Sequence, residues 1–202
     1  MYAKLLCFLI LCTSCATTAP LFEVEEGTIA DGRYHDGNEW FSYPIPPSCK
    51  GRIQEDATDI SSSLAFCDKH GNQIKIEVYN HVDDFLNVKD VFEKKIYKRI
   101  LKRYPETVRL EEGTTPCGAY FVVLEAHLDH PLFSLASPCA DNVLRGYLVF
   151  KENDKFVVLS YHLSGLEMQK LEDNENDIAS NVLKRLRKIR CQLQFEQPLT
   201  CD

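Results

Sequence analysis

No stretch of this chain is both apolar and long enough to cross a bilayer, which takes about 20 such residues. The longest candidate, Leu5 to Leu11, has seven. Basic residues are in deficit: 23 Lys and Arg stand against 30 Asp and Glu, for a net charge of −7. That balance argues against nucleic acid as a partner, because phosphate binding draws on a basic surface. Nothing resembling a Gly-x-Ser-x-Gly elbow occurs. Gly113 and Gly118 flank a Thr-Thr-Pro-Cys turn without the spacing of a phosphate-cradling loop. Beyond Cys15, no two cysteines are spaced as Cys-x-x-Cys, which removes the usual zinc patterns. No repeat or low-complexity tract is visible. These absences point away from a spanning helix, a nucleic-acid binder, a structural zinc site and a nucleotide-dependent enzyme, and no cofactor is expected.

What is present starts with a leader. Lys4 supplies a positive charge, Leu5 to Leu11 an apolar run, and Thr13-Ser14 small residues ahead of a cut, the three parts of a secretory signal. The alanines that ordinary signal peptidase would use, Ala16 to Ala19, run into Pro20, which obstructs cleavage. The stretch Leu11-Cys12-Thr13-Ser14-Cys15 resembles the bacterial lipoprotein signal, the lipobox, with Ser14 at −1 and Thr13 at −2. Cys12 stands at −3, where that family usually has Leu. The resemblance implies a signal peptide over 1–14, a diacylglycerol-modified Cys15 as the new N-terminus, and a periplasm-facing place in the cell envelope. Ala16 after it, rather than Asp, implies the outer membrane over the inner.

Cysteine parity agrees with that reading. Of nine cysteines, Cys7 and Cys12 leave with the leader, and lipid on Cys15 leaves Cys49, Cys67, Cys117, Cys139, Cys191 and Cys201. An even set suits disulfides in an exported protein, although the pairing itself stays open. Nearness along the chain favours Cys49 with Cys67, Cys117 with Cys139, and Cys191 with Cys201.

Residues 15–38 read as a lipid-anchored tether, since 16–38 have little periodicity and mostly negative charge. A flexible chain of about 20 residues spans roughly 25 Å, enough to hold a domain clear of lipid headgroups. The competing reading is an edge strand using Phe22, Val24 and Ile29. A single domain is expected over 39–202. Its strands are expected near Trp40 to Tyr43, at Ser61 to Phe66, and at Gln73 to Tyr79, where Ile74, Ile76 and Val78 alternate with Lys75 and Glu77. His70-Gly-Asn reads as the hairpin turn between the last two. Further strands are expected at Ala119 to Glu125, Val143 to Phe150 and Phe156 to His162. One helix begins at Asp83-Asp84, shows Phe85, Val88, Phe92, Ile96 and Ile100 on one face, and stops at Pro105. A second covers about 174–193, with Ile178, Val182, Leu186 and Ile189 apolar. Together these predict an α+β fold, an antiparallel sheet with two main helices packed on it. The order of elements resembles the Mog1/PsbP-like architecture, whose members are mostly accessory and binding proteins.

Two groups of residues carry chemistry. Glu125-Ala-His127-Leu-Asp129-His130-Pro places two histidines and two carboxylates together. It reads either as solvated residues at a strand end or as part of a metal or catalytic site, with Ser134 or Cys139 as a nucleophile. Basic residues cluster on both helices, Lys94 to Arg103 and Lys184 to Arg190. They serve either a solvated helix face or attraction to anionic lipid. The leading expectation is a lipid-anchored, non-enzymatic binding or assembly module with an envelope protein as partner. The alternative is an exported hydrolase or metal-dependent enzyme centred on His127, Asp129 and His130.

Overall fold

The computed structural model describes residues 26–45, 54–68, 72–80, 85, 87–127, 142–163 and 178–195. The leader, Cys15, Cys49, Asp129, His130, Ser134, Cys139 and Cys201 lie outside them. In chain order the strands are β1 (Thr28–Ala30), β2 (Arg33–His35), β3 (Phe41–Pro44), β4 (Gln54–Thr58), β5 (Ser61–Cys67) and β6 (Gln73–Asn80). They continue with β7 (Val108–Thr114), β8 (Tyr120–His127), β9 (Asn142–Glu152), β10 (Lys155–His162) and β11 (Gln194–Phe195). Helix α1 runs without a break through Val88–Val91, a π-helical turn Phe92–Tyr97, and Lys98–Arg103; helix α2 is Ile178–Gln192.

Seven strands make a fully antiparallel sheet in the order β4-β5-β6-β10-β9-β8-β7. A smaller antiparallel sheet has the order β1-β2-β3-β11. The central strands bury both faces, so the alternation along each one sorts its side chains between two cores. Ile74, Ile76, Leu148, Phe150 and Leu159 join α2 and the small sheet on one side. Tyr147, Val149, Phe156, Val158 and Val122 join α1 on the other. The α+β class and the two helices flanking an antiparallel sheet are as expected.

Helix α2 sits close because β9 has a glycine beneath it. A Cβ at Gly146 would lie 2.1 Å from Val182 Cγ1 and 3.0 Å from Leu186 Cδ1. Turn chemistry matches the hairpins. The β9–β10 turn uses Asn153 at φ 51°, a left-handed conformation that asparagine tolerates. The β5–β6 turn closes with the Asp68 and Asn72 backbones and side chains bonded to each other.

The structure corrects the sequence reading at two places. Residues 28–36, expected inside the tether, belong to the folded body: Tyr34 is 1% exposed, and Asp36 accepts from the Phe41 and Asn38 backbone amides. Strands of three residues are too short to show periodicity, which hid them. Ile29, the edge-strand candidate, lies in β1 at 42% exposure, while Phe22 and Val24 fall outside the described residues. Helix α1 is capped by Asn87, whose Oδ1 accepts from the Asp90 amide at 3.1 Å, several residues after the expected Asp83-Asp84. It ends at Arg103 because Tyr104, before Pro105, is pushed out of the helical region to φ −135°, ψ 79°.

Candidate functional site

Helix α1 covers only part of its face of the large sheet. The covered part, over β8 and β9, is apolar. The uncovered part, over β6 and the end of β10, carries Gln73, Lys75, Glu77, Ser160 and His162. The Lys75 and Glu77 positions that look like a wet strand face in the sequence therefore floor a cleft of about 500 Å³ between α1 and the sheet. Arg145 of β9 and Tyr147 close its inner end, and Arg99, Arg103 and Tyr104 form its α1 wall. A second hollow of about 470 Å³ shares Lys75, Glu77 and Arg99 and continues past Lys94 and Lys95 to the serines of β5, so the two make one groove.

The π-turn has a geometric role. Residues Val88, Phe92, Ile96, Ile100 and Tyr104 recur every four positions and face the sheet, and the last four are buried. In a regular helix a four-residue step overshoots one turn by about 40°, so this row would swing off the sheet. Widening the helix over Phe92–Tyr97 holds the row in place. It also holds Lys95, Arg99 and Arg103, four apart, along the groove edge.

Electrostatics in the groove are uneven. Six cations line it (Lys75, Lys94, Lys95, Arg99, Arg103 and Arg145) against two carboxylates, Asp56 and Glu77, in a chain whose net charge is −7. Glu77 is 7% exposed and already engaged: Lys75 Nζ lies 2.9 Å from its Oε1, Tyr79 donates at 3.1 Å, and Arg99 Nη2 lies at 3.5 Å. At the inner end two guanidiniums share one ring, with Arg145 Cζ 4.4 Å and Arg103 Cζ 5.6 Å from the Tyr104 centroid. Among the described residues no carboxylate pairs with either of them. The Nε of Arg145 is buried without a hydrogen-bond partner.

His162 sits beside them. Its Nδ1 is 3.0 Å from Gln73 Oε1, so the ring proton sits there and Nε2 accepts from the Tyr147 hydroxyl at 3.4 Å. Burial, reinforced by the Arg145 and Lys75 charges, pushes the His162 pKa down to about 3. Burial pushes the Tyr147 hydroxyl up to about 12. Both groups are therefore neutral at neutral pH, and His162 serves as a hydrogen-bonded support for the floor. Neither a Ser nor a Cys hydrogen-bonds to it among the described residues.

A separate ion cluster ties α1 to β7. The Arg109 guanidinium stacks 4.1 Å over Tyr97, lies 2.8 Å from Glu93 and 2.6 Å from Glu112. Bonds from Tyr120 and Arg109 hold the Glu112 carboxyl below the usual range.

The residues singled out in the sequence do not converge. His127 is the last residue of β8, opposite Asn142, while Asp129 and His130 lie outside the described residues. No group of three or more His, Cys, Asp or Glu is placed to hold a metal among the described residues. Cys67 is half-buried, and Cys117 and Cys191 are exposed; the neighbours expected to pair with them, Cys49, Cys139 and Cys201, are outside the described residues. The basic faces divide. Lys184, Arg185, Arg187 and Lys188 of α2 are exposed to solvent, whereas Lys95, Arg99 and Arg103 of α1 line the groove. No described helix is long and apolar enough to cross a membrane.

An α+β body with a seven-stranded antiparallel sheet between two helices is the class of protein these features define. Solved structures share it at low sequence identity. A point mutant of Mog1 is 12% identical with a TM-score of 0.51, over 83% of this chain and 96% of that one. The Ran-binding protein Mog1p of Saccharomyces cerevisiae is 13% identical with a TM-score of 0.49, over 78% and 91%. The cyanobacterial PsbP of Synechocystis is 12% identical with a TM-score of 0.46, over 88% and 99%. The likeness to the Mog1 mutant is a likeness of fold. No protein-family model matches the chain, and no curated protein matches it in sequence.

Proposed function

We propose that this chain is a non-enzymatic binding or assembly module and that the groove beside α1 is its binding surface. The observation that carries the reading is the pair of guanidiniums on Tyr104, which sit at the end of a preformed cleft without a carboxylate partner. Arg145 is half-buried with its Nε unpartnered, a cost to the folded state that a ligand would offset, and Arg103 beside it is exposed and open to the same ligand. The neutral, hydrogen-bonded His162 points the same way, because a base whose lone pair is occupied by Tyr147 is poorly placed to accept a substrate proton.

The leader adds the location. In this reading residues 1–14 are removed, Cys15 carries diacylglycerol, and the module faces the periplasm from the outer membrane of a bacterial envelope, tethered by the residues before β1. The three cysteine pairs named above are its disulfides, which non-reducing peptide mapping of the exported protein would reveal.

Two experiments test the reading. Labelled palmitate should enter the wild-type protein and not a Cys15→Ala variant; equal labelling of both removes the anchor. A pull-down from detergent-solubilised envelope should recover a partner that an Arg103→Gln/Arg145→Gln variant fails to retain. Equal recovery by both proteins removes the groove as the binding surface.

A further inference from the structure

The groove has a spacing as well as a charge. Lys95, Arg99 and Arg103 line its α1 side at intervals of four residues. Along a helix, four residues rise about 6 Å, so the row is about 12 Å long. Side chains on one face of an extended strand repeat about every 6.6 Å, so carboxylates on alternate residues match the row within a fraction of an ångström per step. A single oxyanion at Arg103 would leave Lys95 without an anionic partner and Arg99 with only its 3.5 Å contact to Glu77. A planar lipid surface does not reach the groove floor, where Lys75 and Arg145 stand beside the row.

Resting on the reading of this chain as a binding module, we propose that the groove takes an extended acidic segment of a partner protein, with Glu or Asp at alternate positions facing α1. The carboxylate at one end sits between Arg103 and Arg145, over the Tyr104 ring. The middle one meets Arg99, which is exposed over most of its side chain despite its contact with Glu77. The carboxylate at the other end meets Lys95, whose ammonium lies over the Tyr79 ring 5.8 Å away and is held above the serines of β5. Arg rather than Lys at two of the three row positions suits carboxylates, which a guanidinium holds through two parallel bonds.

The test uses the full chain in a non-ionic detergent and two labelled peptides of equal charge, Glu-Ala-Glu-Ala-Glu and Ala-Glu-Glu-Glu-Ala, followed by fluorescence anisotropy. The alternating peptide should bind about tenfold more tightly than the blocked one, and more weakly as salt rises past about 0.15 M. Arg103→Gln and Lys95→Gln should each weaken it several-fold, while Lys184→Gln on the exposed face of α2 leaves it unchanged. All three positions are exposed, so unchanged melting temperatures confirm that the variants fold. Equal binding of the two peptides overturns the proposal, as does insensitivity to Arg103→Gln. Binding of glycerol phosphate, read by calorimetry, with neither peptide bound also overturns it and assigns the groove to a phosphate headgroup. A partner recovered from envelope that excess alternating peptide does not displace overturns this inference alone and leaves the module standing. Loss of partner recovery in both groove variants and wild type removes the module reading as well.

Discussion

His162 illustrates how a single residue couples the groove floor to pH. Its ordinary pKa near 6.5 governs the unfolded chain, and the folded value is about 3, so the folded state stays neutral where the unfolded state takes up a proton. Its contribution is intact above about pH 6.5 and declines as pH falls toward 3. Between pH 7.5 and 5 the loss should be about 2 kcal/mol, an upper figure because other groups titrate alongside it. Urea unfolding at both pH values measures it. A His162→Gln variant should show a shallower acid slope than wild type, and an identical slope would contradict the burial account. Tyr34 is a second case. It fills the core from a segment that reads as linker in the sequence, so Tyr34→Ala should cost about 3 kcal/mol or more by leaving a cavity. A true tether residue would cost almost nothing in the same unfolding measurement.

At the scale of elements, Gly146 is where helix α2 rests on the sheet. A methyl group there would meet Val182 at 2.1 Å, and Val182 is itself buried, so Gly146→Ala forces α2 outward. The expected cost is about 1–3 kcal/mol, read as a lowered urea midpoint. Arg109 tests the α1–β7 cluster in another way. Because its guanidinium stacks on Tyr97 while bonding two carboxylates on different elements, Arg109→Lys should destabilise nearly as much as Arg109→Ala. Full rescue by Lys would show that charge alone matters.

These elements also explain what could be read in advance. Central strands announced themselves through Ile74, Ile76 and Val78, because burial on one face imposes a period of two, and through the continuous apolar run from Phe156, which burial on both faces produces. Edge strands did not: β4 (Gln54–Thr58) is polar, and β7 mixes Val108 and Leu110, both exposed, with Glu111 and Glu112. The groove was out of reach for a different reason. Its residues come from β6, α1, β9 and the end of β10, and no local spacing joins them. The one available hint was polar or charged residues recurring within strands at the middle of a sheet, Lys75 and Glu77 in β6, Arg145 in β9, Ser160 and His162 in β10. Such positions are costly unless a cavity receives them.

For the molecule as a whole, the small sheet brings the two ends of the described chain together. Strand β3 pairs with both β2 and β11, and Arg33 donates to the Ser42 and Gln192 carbonyls at 3.2 and 3.1 Å. Tyr43 adds a bond to Gln192 Oε1 at 3.0 Å. A pull applied from the N-terminal side meets first the bond from the Ala57 amide of β4 to the Glu26 carboxylate, then this small sheet. Because β1 and β2 form a hairpin at its edge, that pull then acts on their bonds a few at a time, and Arg33 of β2 passes it on to the end of α2. Traction on the N-terminal segment therefore loads β4 of the large sheet and the β1–β2 hairpin before it reaches either helix.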